Sequence, residues 1–290
     1  MSWGFRLACV AVLLLAVGLR LHQLGRDSFW YDEIVQASLA AEYSALELVQ
    51  AHLPYATAPL DTLITNVILQ LGRAEYLLRF PAACFAGLTV AVCFALARAM
   101  FGSLEGLIAA FLLTISASHI RYAQELRPYA LLAFLGSLSL WFLWRALRHD
   151  CLTDWLAWSS IGIAGLLAHP VATFWALAHG AYGLTATGLH HWRGRAKFAL
   201  HAAQLRKMLT GISLMLIGAG AQFALAITDY SQRIATRPTA SRFLAPEWVT
   251  LTRRVLLQLG NGTVVAGLCL AAILSTYLIA ARQGSERPAI

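Results

Sequence analysis

The chain has 290 residues, of which 59% are hydrophobic and only 12% charged. Soluble domains carry about 25% charge, so too few polar residues are present to cover a water-facing surface, and the composition points to an integral membrane protein. A net charge of +8 does not make it a nucleic-acid binder, because the basic residues lie scattered between apolar runs instead of gathering on one soluble face.

In chain order, the first apolar run is Leu7–Leu19, preceded by Arg6. Its length also suits a signal peptide, but no small-x-small cleavage pattern follows before Arg20, which favours an uncleaved anchor. Residues 25–79 are mixed and include "SFWYDEIVQA" (28–37), Pro54, Pro59 and the short apolar piece "LITNVILQLG". That piece falls short of the roughly 20 residues a span needs. The region therefore reads as a first external loop with short helices at the membrane surface, while a short span there would invert the topology downstream.

Further uncharged runs predict spans at about 80–98, 104–119, 129–147, 152–168, 171–189, 208–228 and 255–281. The stretch Trp155–Trp192 is too long for one span, and His169-Pro170 is its natural break, because proline restricts the residue before it. The expected architecture is an all-α, polytopic transmembrane bundle of about eight spans, with both termini on one side. "HHWRGRAK" and "WRALRHD" fall on that side, making it cytoplasmic by the positive-inside rule. Arginine and lysine together nevertheless divide evenly across the membrane, with both lysines inside, and most acidic residues lie outside. Something on the external face requires them. The five cysteines show no close spacing, so neither a disulfide framework nor a zinc pattern is visible.

Two constellations share that face. Asp32 and Glu33, if they open a surface helix, point about 100° apart, so one can face a cleft while the other caps the helix or pairs with an arginine. The plain alternative is a helix N-terminus carrying acid. "SASHIRYAQELRPYALL" (116–132) packs His119, Arg121, Tyr122, Gln124, Glu125, Arg127 and Tyr129 between two spans. Arginine and tyrosine there could hold a phosphate, or they could anchor the interface, with Glu125 only neutralising Arg121 or Arg127. Arg79, just before a span, suits headgroup contact, and His169 suits a packed helix end.

"LRLHQLGRDSFWYDEIVQA", "AEYLLRFPAACFAG", "SASHIRYAQELRPYALL" and "GLLAHPVATF" together resemble, in order and spacing, the polyprenyl-phosphate-dependent glycosyltransferases of the GT-C fold. The branch is that of protein O-mannosyltransferases and aminoarabinose transferases. The resemblance implies an inverting transferase of the bacterial inner membrane with its site facing the periplasm. Its implied donor is a polyprenyl-phosphate sugar, and its acceptor a lipid, polysaccharide or protein. It assigns Asp32 as general base and Glu33 as its support, with Arg79 and Arg127 on the donor phosphate. Tyr122, Glu125, Tyr129 and His169 would line the same cavity. A divalent cation, Mg²⁺ or Mn²⁺, is compatible with carboxylates near a phosphate.

Two departures stand beside it. The proline segment reads "YATAPLDTLI", where the branch usually places Pro-Pro or His-Pro, and Asp61 has no counterpart in that pattern. Relatives also commonly continue through further spans into an external soluble domain. The expectation is therefore a single module over 1–290, with that part missing or very short. A transporter or flippase of a lipid-linked or anionic substrate is the competing reading, as is an inactive truncated relative. A transporter should place ionisable residues at mid-membrane and show paired repeats, whereas these charges gather at one face.

Overall fold

The computed structural model describes residues 2–50, 59–192 and 203–217, and every regular element among them is an α-helix. In order these are α1 (Trp3–Leu21), α2 (Tyr31–Glu42), α3 (Ala45–Gln50), α4 (Pro59–Leu69), α5 (Glu75–Met100), α6 (Ser103–Thr114), α7 (Ala117–Ala123), α8 (Tyr129–His149), α9 (Leu152–Ala168) and α10 (Ala172–Trp192). A further helical stretch covers most of 203–217. The expected span at 208–228 is described only to residue 217, and the one at 255–281 lies outside the described residues.

Three helices, α1, α5 and α8, are long and apolar enough to cross a membrane, and a fourth crossing arises if the bent pair α6 and α7 counts as one. The apolar runs expected at 152–168 and 171–189 form α9, shorter at 17 residues, and α10, with 21. The expected eight crossings are not reached among the described residues. His169 ends α9 in an extended conformation, φ −167° and ψ 139°, as a residue preceding proline must.

The span expected at 104–119 is corrected by the structure. It breaks after Thr114, and α7 leaves α6 at 63°. No proline causes this. Instead Arg20, fully buried at the end of α1, donates from Nη2 to the Leu113 carbonyl (3.1 Å) and from Nη1 to those of Thr114 (3.4 Å) and Ala16 (2.9 Å). The last carbonyls of a helix have no partner within it, and here a cation meets them, which also complements the negative end of the helix dipole. His119 Nδ1, 2.8 Å from Arg20 Nη2, completes the joint by accepting.

The bundle is built on α5, which packs against α1, α6 and α8, while α8 carries α9 and α10. Contacts on α5 use small residues: Ala82 and Ala86 meet Ala123 and Ala130, and Val90 meets Ala16 and Ala110. Without a hydrophobic drive between helices in lipid, close backbone approach is what holds them. Larger side chains fill the α8–α9–α10 centre around Leu143, Trp155, Trp158 and Met208. Outward, α1 exposes Trp3, Leu7, Val10, Leu14 and Val17, an apolar face suited to acyl chains. The short helices α2 and α4 pack on each other, and α4 also reaches α5 and α9, so the first loop sits on one end of the bundle.

Gly106 is where α6 comes nearest α5. A Cβ there would lie 2.8 Å from Arg98 Cβ and 2.9 Å from the Phe94 carbonyl oxygen. Gly106→Leu should lower stability by about 1–3 kcal/mol through overpacking, more than the roughly 0.8 kcal/mol gained in helix propensity. The unfolding midpoint of the detergent-solubilised protein checks this; an unchanged midpoint would mean that the two helices are not held in that contact.

Candidate functional site

The end of the bundle bearing α2 is organised around one buried ion pair. Glu33, in the first turn of α2, is fully buried. Its Oε2 accepts from Arg79 Nη2 at 2.6 Å and from the Trp30 amide at 3.2 Å, and its Oε1 accepts from Arg79 Nε at 2.9 Å and from the Leu126 amide at 2.6 Å. Arg79 projects from the first turns of α5. Its remaining N–H groups go to the carbonyls of Leu24 (3.4 Å), Asp27 (2.7 Å) and Ser28 (3.4 Å), and its plane lies 5.1 Å from the Phe29 ring.

All five N–H donors of Arg79 are therefore occupied by protein acceptors. Arg79, expected from the resemblance on the donor phosphate, thus lies buried in this structure with its N–H groups on protein oxygens. Glu33 likewise supports Asp32 only from a distance, by fixing the backbone. The two adjacent carboxylates divide as their 100° separation allows: one is locked inside, the other looks out.

Asp32 is that other one. Its Oδ2 lies 3.6 Å from Arg127 Nη2, with both side chains partly exposed; the spacing is that of an ion pair and too long for a good hydrogen bond. The Arg127 Nε is buried without a partner, so this guanidinium retains unused capacity. Aromatic rings frame it: Trp30 at 6.0 Å and Tyr129 at 5.7 Å. Tyr129 in turn contacts Tyr122 (5.0 Å between centroids) and His169 (5.9 Å). The structure thus brings Asp32, Arg127, Tyr129, Tyr122 and His169 to one place. The His169 Nδ1 accepts from the Val171 amide at 3.1 Å, which leaves the proton of the neutral ring on Nε2. Burial, and secondarily the Arg127 charge, push its pKa down, so it is neutral at pH 7.

Glu125 departs from the expected pattern. It pairs with the exposed Arg121 one turn earlier, at 3.0 Å, the plain alternative for that residue. The neighbouring Gln124 is the working part of the motif: its Nε2 donates to the carbonyls of Leu19, Arg20 and His22 at 2.8–3.4 Å. It ties the α7–α8 turn to the end of α1.

Sequence reasoning also left Asp61 without an account. It lies in the first turn of α4, where its Oδ2 accepts from Gln36 Nε2; Gln36 also donates to Thr65 Oγ1 at 3.3 Å. Gln36 is four residues beyond Asp32, on the same face of α2, so Asp61 sits one helical turn from the Asp32–Arg127 pair. Burial raises its pKa to about 6, against the lowering effects of the Gln36 bond and of Arg127. The signal available was the i, i+4 spacing of Asp32 and Gln36 together with an acid in an otherwise apolar helix. Among the described residues no group of three or more His, Cys, Asp or Glu side chains is placed to hold a metal ion.

A family model described as dolichyl-phosphate-mannose-protein mannosyltransferase matches residues 56–205, just over half of the chain. The match takes in Asp61, Arg79, Arg127 and His169 and begins after Asp32. No curated protein matches the chain, and no solved structure does.

Removing one partner of a buried pair leaves an uncompensated charge, at a cost of about 3–5 kcal/mol. Glu33→Gln should therefore destabilise the protein by that amount, read as a lowered unfolding midpoint in detergent. The double substitution Glu33→Leu with Arg79→Met should recover part of the loss. It should not recover all, because the Leu126 and Trp30 amides would still lack their acceptor. A single-substitution cost below about 1 kcal/mol, the range of exposed pairs, would contradict the buried pairing.

Proposed function

From the premise that the chain belongs to this mannosyltransferase family, and is a membrane glycosyltransferase of that type, we propose that it transfers a sugar from a polyprenyl-phosphate carrier with Asp32 as general base. The transfer would take place at the α2 end of the bundle, facing the periplasm of a bacterial inner membrane. The observation that carries the reading is the pairing of a partly exposed carboxylate, Asp32, with an incompletely used guanidinium, Arg127, 3.6 Å away.

The chemistry follows from those two groups. A hydroxyl or amine acceptor attacks the anomeric carbon on the face opposite the phosphate. Its proton passes to the Asp32 carboxylate as the new bond forms. The bond from the anomeric carbon to the phosphate oxygen breaks, with inversion. The polyprenyl phosphate leaves with the electron pair, and the charge developing on its oxygens is met by Arg127. Tyr129, Tyr122 and Trp30 offer faces and edges on which a sugar ring can pack, and the neutral His169 offers a hydrogen-bond donor from Nε2. The donor's hydrocarbon tail remains in lipid, which requires the reacting bond to lie at the membrane surface.

Asp32→Asn should reduce transfer of labelled sugar from polyprenyl phosphomannose by 10²-fold or more, while donor binding persists. Transfer at the wild-type rate would remove Asp32 as base, and label that crosses the bilayer without joining an acceptor would indicate transport instead. Arg127→Lys replaces a planar fork with a point charge and should raise the apparent donor KM roughly tenfold, about 1.4 kcal/mol. An unchanged KM would free Arg127 of its phosphate role.

A further inference from the structure

Asp61 is an ionisable group of this region that the transfer chemistry does not use and that no ion pair holds among the described residues. An acid in the first turn of a helix is ordinarily a dipole partner, which would keep it ionised. Its geometry argues otherwise. The Oδ2 atom accepts from a side chain on another helix, Gln36 of α2, and no described residue donates to Oδ1. A proton can therefore settle on Oδ1 without breaking the bond that holds the carboxyl in place.

The charges around it are few. The elements packed on α4 are α2, α3, α5 and α9. Of their ionisable groups at this end, Glu33 and Arg79 neutralise each other, Glu47 of α3 is bonded to the exposed Ser44 turn, and His169 at the end of α9 is neutral. Glu75 of α5 acts on Arg79. Arg127 is the charge that acts on Asp61, and Arg127 already faces Asp32. Asp61, held through Gln36 one helical turn from Asp32, thus lies in the field of a guanidinium that Asp32 already faces before any substrate arrives. A donor phosphate would be a third anion near the same cation, and like charges at one site cannot all ionise cheaply.

We propose that Asp61 takes up a proton when the phosphate of the lipid-linked donor docks against Arg127, so that the site admits an anionic donor while Asp32 stays ionised for catalysis. The inference rests on the donor-binding reading given above. It makes Asp61 a positioning residue that sets the pH range of donor affinity without touching the reacting bond. Burial has already brought its carboxyl to a pKa of about 6, so the proton is accessible near neutrality.

The test uses the full chain in nanodiscs and polyprenyl phosphomannose, a phosphodiester whose charge is constant across the range. Donor affinity of the wild type should fall between pH 6 and pH 8, about 50-fold being the ceiling that linkage to one group titrating near 6 allows. Calorimetry at pH 7.5 in buffers of different ionisation heat should report close to one proton taken up per donor bound. Asp61→Asn, isosteric and uncharged, should bind donor with a flat pH profile and no proton uptake. Uptake that persists in Asp61→Asn would overturn the proposal. If that variant does not fold, zero uptake by the wild type would overturn it just as well. Binding that weakens in Arg127→Lys yet shows no pH slope in wild type would sink this inference alone. Absence of donor binding at every pH would overturn the donor reading and this inference with it.

Discussion

The Glu33–Arg79 pair fixes more than two side chains. Glu33 holds the start of α2 through the Trp30 amide and the α7–α8 turn through the Leu126 amide, while Arg79 gathers three carbonyls of the segment between α1 and α2. Three stretches of chain distant in sequence meet at one buried contact. Asp32 is the residue before Glu33, and Arg127 the residue after Leu126. The spacing between Asp32 and Arg127 is thus set by the buried pair beside them. A buried ion pair is weak evidence for stability, because desolvation opposes it. Here its stronger role is geometric, since an apolar pair of equal volume could not accept the two amides.

Much of the fold could be read from the sequence, for a simple reason. Charges are costly at mid-membrane, so uncharged runs mark helices, and proline marks where they end. The runs at 80–98, 129–147, 152–168 and 171–189 became α5, α8, α9 and α10, and His169-Pro170 separated the last two. The break after Thr114 was not legible. It depends on Arg20, ninety-four residues away in sequence, and periodicity carries no information about such a partner.

The site was legible in part for the same reason. That one acid of the Asp32–Glu33 pair would turn inward followed from helix geometry, but which one depended on where α5 lies. Arg79 looked like a headgroup contact because an arginine before a span usually is one. Only the packed structure shows its five donors already taken. Gln124 and Glu125 exchange the importance their chemistry suggests: the charged residue faces solvent with Arg121, and the neutral amide ties down three carbonyls. An amide that caps several backbone groups has no sequence signature beyond its own polarity.

Several of the arginines at this end of the bundle already have partners. Arg79 is consumed by Glu33 and the loop carbonyls, Arg121 by Glu125, and Arg20 by the carbonyls at the α6–α7 break. Two of the described arginines, Arg20 and Arg79, are structural, spent on backbone oxygens that irregular chain at the edge of a membrane would otherwise leave unpaired. Arg127, like Arg20, keeps a buried Nε–H without a partner, but Arg127 is the one of the two beside Asp32. A site in which the guanidinium already faces one carboxylate, with a second acid nearby, has little tolerance for an added negative charge. Its affinity for any phosphate is then governed as much by the protonation of its acids as by the strength of its arginine. The charge balance of Asp32, Asp61 and Arg127 is consequently the feature by which this chain departs from a pocket built of arginine alone.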